Sequence, residues 1–151
     1  MEPSTAPRGR VGSEARTGRA LRSGVYYFLA VFAVGFVLGV LRTLFVARHV
    51  GVLAAVAIEL PIVLAVAWWV SARLQRGSSP TMRGAVLMGG TAFVLLMLAE
   101  ASLSIALFGR TFAEHLSLYA DANHQLGLAG QIAFALIPMM QVRHRWREGS
   151  R

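Results

Sequence analysis

The sequence predicts an all-α integral membrane protein, an antiparallel bundle of four transmembrane helices with a short interfacial helix between the third and fourth. Three observations carry this. Four apolar stretches each approach or exceed the roughly 17–25 residues that cross a bilayer as a helix. The chain of 151 residues is 56% hydrophobic with 15% charged residues, where soluble domains carry about a quarter charged. The charges crowd into the ends and loops between those stretches.

The first span is predicted over Val25–Ala47, with Tyr26 and Tyr27 at its start, where amphipathic aromatics favour the headgroup zone. Gly35 and Gly39 form a GxxxG pair, which predicts close helix packing within the chain, with a dimer seam as the alternative. Arg42 shares that face. Arg48, His49 and Val50 make a short turn into the second span, Gly51–Ala72. Here Gly51, Ala55 and Glu59 recur every fourth residue, so a small-residue face points a carboxylate at a neighbouring helix, with Pro61 just beyond it. Trp68 and Trp69 mark the approach to the far interface.

A polar loop, Arg73–Gly84, leads to the third span, Ala85–Phe108, which carries Glu100 and, one turn on, Ser104. In the loop Gly109–Gln125, the spacing of Phe112, Leu116 and Tyr119 predicts the short surface helix. The fourth span, Leu126–Val142, carries Gln131 and Pro138. Residues 1–24, rich in Pro, Gly, Ser, Thr and Arg, are expected to form a disordered basic arm, and residues 143–151 a basic tail. The apolar run after the arm is too long for a secretory signal.

All fifteen basic residues are arginine, and the net charge is +8. In a soluble protein this excess would suggest nucleic acid. In a four-span protein the arginines of the arm, the middle loop and the tail all fall on one side, leaving Arg48 and Arg110 opposite. Because basic flanks stay cytoplasmic, both termini are expected in the cytoplasm, with the lipid bilayer as partner and no role for nucleic acid. No cysteine is present, which excludes disulfides and thiolate metal sites.

At about 1.5 Å per residue, Arg42 and Gln131 sit roughly 7 Å and Glu59 and Glu100 roughly 12 Å inside the outer ends of their spans. Charged groups at such depth mark functional sites by default. The candidate binding cluster is therefore Arg42, Glu59, Glu100 and Gln131. Arg42 is expected to pair with Glu59, since a short turn joins their helices. The leading functional reading is a non-catalytic accessory or assembly protein, self-associating or joined to a membrane partner, in which the cluster fixes helix packing. The second is proton-coupled binding or transport of an ion or small solute, and the third an intramembrane enzyme. HExxH and Gly-x-Ser-x-Gly patterns are absent, so no catalytic residue is assigned. His49, His115 and His124 share the outer loops, but their spacing demands no metal, and neither metal nor cofactor is expected.

The segments GFVLGVLRTLFVARHVG, AIELP and LAEASLSIALFGRTFAEHL resemble small bacterial four-span inner-membrane proteins, over about Phe28 to Pro138. That resemblance implies the layout and a bacterial inner membrane, and brings no activity with it. Small multidrug transporters also use four helices and an intramembrane glutamate, but in their first span, where this chain has Arg42; that comparison is analogy.

Overall fold

The computed structural model describes residues 8–76 and 81–149. Everything long in it is helix, and no strand occurs among the described residues. Helix α1 spans Arg8–Leu41, passes through a π-helical turn at Arg42–Val46 and ends as α2, Ala47–Val50. Helix α3 is Val52–Gln75, α4 Met82–Phe108, α5 Phe112–Ser117, followed by a 3₁₀ turn at Leu118–Ala120, and α6 is Ala122–Gly149. Four of the helical stretches are long and apolar enough to cross a membrane: Gly12–Val50, Val52–Gln75, Met82–Leu107 and Ala122–Glu148.

The helices overrun the spans expected from hydropathy. The arm expected to be disordered is helical from Arg8 onward; residues 1–7 lie outside the described part. The physical reason is cooperativity: the apolar span supplies the costly first turn, and each added residue then gains a hydrogen bond without a new nucleus. The basic tail likewise continues α6 to Gly149, and the polar loop expected over Arg73–Gly84 is helical to Gln75 and again from Met82, with 77–80 outside the described residues. Thr81 caps α4, its hydroxyl accepting from the Gly84 amide at 3.1 Å. The turn expected at Arg48–Val50 is a single residue, Gly51, whose φ of 83° and ψ of 161° suit a residue without Cβ.

Helix α1 packs on α3 and α4, and α6 packs on the same two, giving a ring in the order α1, α3, α6, α4. Close approach falls at glycines. A Cβ on Gly24 would meet the Met88 carbonyl and Thr91, one on Gly89 would meet the Ala135 carbonyl, and one on Gly130 would meet the Leu60 side chain. The GxxxG pair is different. Nothing lies within 4 Å of a Cβ on Gly35, and only Glu59 Oε1, at 3.9 Å, lies near one on Gly39. The expected in-chain packing of that face is therefore corrected: these glycines leave space rather than close it.

The core occupies the half of the ring away from Gly51. Tyr27, Phe28 and Val31 of α1 meet Ala67 of α3, Met88 and Ala92 of α4, and Phe134 and Ile137 of α6. Tyr26 is 64% exposed, but Tyr27 is fully buried. Its ring stacks on Phe134 with centroids 4.4 Å apart, and its hydroxyl donates to the Phe134 carbonyl at 2.9 Å. Beyond this layer, towards the α3 C-terminus, lies a buried polar network that the sequence reading did not single out. Ser71 donates to Gln141 Oε1 at 2.9 Å, Gln75 donates to Ser71 Oγ and Gln141 Oε1, and Gln141 donates to the Trp68 carbonyl.

Candidate functional site

Above the Tyr27–Phe134 layer the ring does not close. A partly open cavity of about 700 Å³ occupies the half nearer Gly51 and α5, floored by Phe28, Val31 and Phe134. All four residues of the expected cluster line it, each brought by a different helical segment of the ring.

Arg42 opens the π-helical turn, where the Ala47 amide bonds back to the Arg42 carbonyl. Such a turn inserts an extra residue into the helix and is frequent at functional sites. Within that turn, the Thr43 hydroxyl donates back to the Gly39 carbonyl at 2.8 Å. Arg42 Nε lies 2.6 Å from Glu59 Oε2, the side chains being 28% and 18% exposed. The contact is charge on charge rather than an aligned hydrogen bond, because Arg42 Nε has no acceptor along its N–H direction. Glu59 is set at this depth by the Gly51, Ala55, Glu59 face, of which Ala55 is buried.

Glu100 and Gln131 form the second pair. Gln131 Nε2 donates to Glu100 Oε1 at 2.5 Å, and Tyr119, from the turn after α5, interacts with the same carboxylate. Burial first, then the charge of Glu100 and its hydrogen bond, push the Tyr119 hydroxyl up from its ordinary pKa. The cluster thus divides into an Arg42–Glu59 ion pair and a Glu100–Gln131–Tyr119 group on one shared cavity.

The loop before α6 also lines the cavity. Thr111 and Glu114 build a reciprocal cap on α5: the Glu114 carboxylate accepts from the Thr111 amide at 2.7 Å, and the Thr111 hydroxyl accepts from the Glu114 amide at 3.3 Å. His115, Tyr119 and His124 then reach the cavity, their rings edge to face in sequence. His49 is elsewhere, its Nδ1 2.7 Å from the Phe45 carbonyl. No group of three metal-ligating side chains occurs among the described residues.

Several buried polar atoms on the cavity wall lack a hydrogen-bond partner: Gln131 Oε1, Ser104 Oγ and His115 Nδ1. Ser104 is 6% and His115 8% exposed. Each such atom carries an unmet desolvation cost. Ser104 was legible as lying one turn beyond Glu100; the unmet atom on His115 was not, because it depends on where α5 folds back.

No known protein family, curated protein or solved structure matches this chain.

Proposed function

We propose that this chain is a small multi-pass protein of the bacterial inner membrane that binds a small solute in its intramembrane cavity and passes it across in exchange with protons. The carrying observation is that Arg42, Glu59, Glu100 and Gln131 face one open space rather than close-packed apolar side chains. A protein that used these residues only to fix packing would bury them against neighbours. In the proposed arrangement the helices run antiparallel with both termini cytoplasmic, supported by the arginines of the arm, middle loop and tail. Helix α5 lies at the outer surface, where Phe112 and Leu116, 61% and 53% exposed, meet lipid. The cavity then opens outward, while the Tyr27–Phe134 layer and the Ser71–Gln75–Gln141 network close the cytoplasmic side.

A second reading, as an accessory protein, is favoured by the pairing itself: Arg42 already has Glu59, and Glu100 already has Gln131. The absence of cysteine allows a clean discrimination. Gly39→Cys should react in intact cells with a small membrane-impermeant thiol reagent, and Ala92→Cys, in the core, should not. Equal inertness of the two would defeat the solute-binding reading and leave the accessory one. A reporter fused after the C-terminus should be active only in the cytoplasm.

A further inference from the structure

The solute-binding reading leaves open what the cavity takes, and the charges around it narrow the choice. Four charged residues line the space: Arg42, Glu59, Arg110 and Glu100. Arg42 is matched by Glu59. Arg110 lies near enough to Glu114 to help hold that carboxylate below its ordinary pKa. Among the described residues the partners of Glu100 are neutral groups, Gln131 and Tyr119. His115 and His124 complete the titratable lining. Neutral donors orient a carboxylate without cancelling its charge, and in hydrocarbon that charge needs a proton or a cation.

The unmet atoms on the same wall can all accept a hydrogen bond. Gln131 uses its amide nitrogen on Glu100, so the atom left over is the carbonyl oxygen, an acceptor. The Ser104 hydroxyl, one turn beyond Glu100 on α4, also accepts, and the buried Nδ1 of His115 accepts in one tautomer. A carboxylate on the cavity wall whose partners Gln131 and Tyr119 are neutral suits a ligand with N–H donors and a positive charge. The remaining wall is apolar. Phe28, Phe32 and Phe36 repeat every fourth residue on α1, their rings 5.1 and 6.2 Å apart, and all three line the cavity beside the open Gly35 and Gly39.

We propose that the cavity binds a primary organic ammonium ion, with the ammonium group on the Glu100 carboxylate and an aromatic or alkyl body against the Phe28–Phe32–Phe36 ladder. This rests on the solute-binding reading above. The shape suits it: about 700 Å³ lies within the range of small-molecule sites, and aromatic faces favour a cation beside them.

The test uses the full chain in nanodiscs of zwitterionic lipid, titrated calorimetrically with 2-phenylethylammonium and with 3-phenylpropionate, its anionic counterpart. The ammonium should bind saturably and the anion at least tenfold more weakly. Glu100→Gln keeps the shape and removes the charge, and should weaken ammonium binding at least tenfold. Gly35→Leu fills space that no atom occupies and should block binding while the unliganded melting temperature stays unchanged, which guards against a folding defect in the first variant. Ammonium binding undiminished in both variants means partition into lipid and overturns the proposal. Preference for the anion would place the ligand on Arg42 and overturns it too, leaving the solute-binding reading intact. Failure of both ligands alongside a reactive Gly39→Cys sinks the ammonium assignment alone; failure alongside an inert Gly39→Cys sinks both.

Discussion

The Tyr27 hydroxyl donates to the carbonyl of Phe134, the residue four before Pro138. In a helix that carbonyl would accept from the amide four residues on, and proline has none. A residue on α1 therefore supplies the bond that α6 cannot make for itself, at the layer that floors the cavity. Tyr27→Phe should cost about 1–2 kcal/mol, the penalty of a buried acceptor left unmade. Pro138→Ala restores the amide, so in that background Tyr27→Phe should cost measurably less. Denaturant titration of the two single variants and the double variant in detergent gives the coupling. Equal costs of Tyr27→Phe in both backgrounds would mean that the proline is not what makes the hydroxyl necessary.

Glycines on the two sides of α1 and α4 should respond oppositely to a methyl group. Gly89→Ala drives a Cβ into the Ala135 carbonyl, a backbone atom that cannot swing aside, and should destabilise by about 1–3 kcal/mol, as overpacking does. Gly35→Ala meets nothing within 4 Å and should be neutral or stabilise by up to about 1 kcal/mol from helix propensity. Thermal melts in the same detergent check both. A Gly35→Ala loss as large as that at Gly89 would mean that the GxxxG face packs on something, a second copy included.

The contrast explains what the sequence could and could not reveal. The four long apolar helices were legible because apolar length is a local property. That Arg42, Glu59, Glu100 and Gln131 fall at a common level of the bundle was legible from counting residues along each apolar stretch. Which glycines close a gap was not, because GxxxG at Gly35 and Gly39 has the same local pattern whether a helix lies opposite or a cavity does. Tyr27 was read with Tyr26 as an interface marker for the same reason: neighbours in sequence point in directions about 100° apart on a helix, and only the partner helix decides which one is buried. The Ser71–Gln75–Gln141 network joins α3 to α6 and depended on a pairing of helices that no local pattern specifies.

The cap of α5 should respond to acid. Hydrogen bonds from the Thr111 amide, then its hydroxyl, hold Glu114 below the usual carboxylate range. A group whose pKa is lower folded than unfolded binds fewer protons in the folded state, so it stabilises above the ordinary carboxylate pKa. That contribution is lost as pH falls through the folded value. Helix α5 should therefore loosen in acid, and Glu114→Gln should remove this pH dependence. Hydrogen exchange of the α5 amides between neutral pH and pH 3 checks it; protection in the parent that does not change over that range contradicts the assignment.

Arg42 and Glu59 should couple, and Arg42 and Glu100 should not. The ion pair spans Gly51, joining the π-helical turn to the second turn of α3, and each partner retains some exposure. Its loss should therefore fall between the small cost of an exposed pair and the larger one of a buried pair, about 1–3 kcal/mol for Glu59→Gln. Glu100→Gln preserves an acceptor for Gln131 and leaves Arg42 its partner, so it should cost under about 1 kcal/mol. Arg42→Ala should lose most of the cost of Glu59→Gln when the two are combined, because either change alone already breaks the pair. With Glu100→Gln it should be additive, since the structure gives those residues separate partners. Unfolding free energies of the three single variants and the two double variants in one detergent supply both cycles. Additivity between Arg42 and Glu59 would remove the ion pair from the stability of the fold. Coupling between Arg42 and Glu100 would mean that the two groups act as one network, and the charge assignment that leaves Glu100 for a cationic ligand would no longer hold.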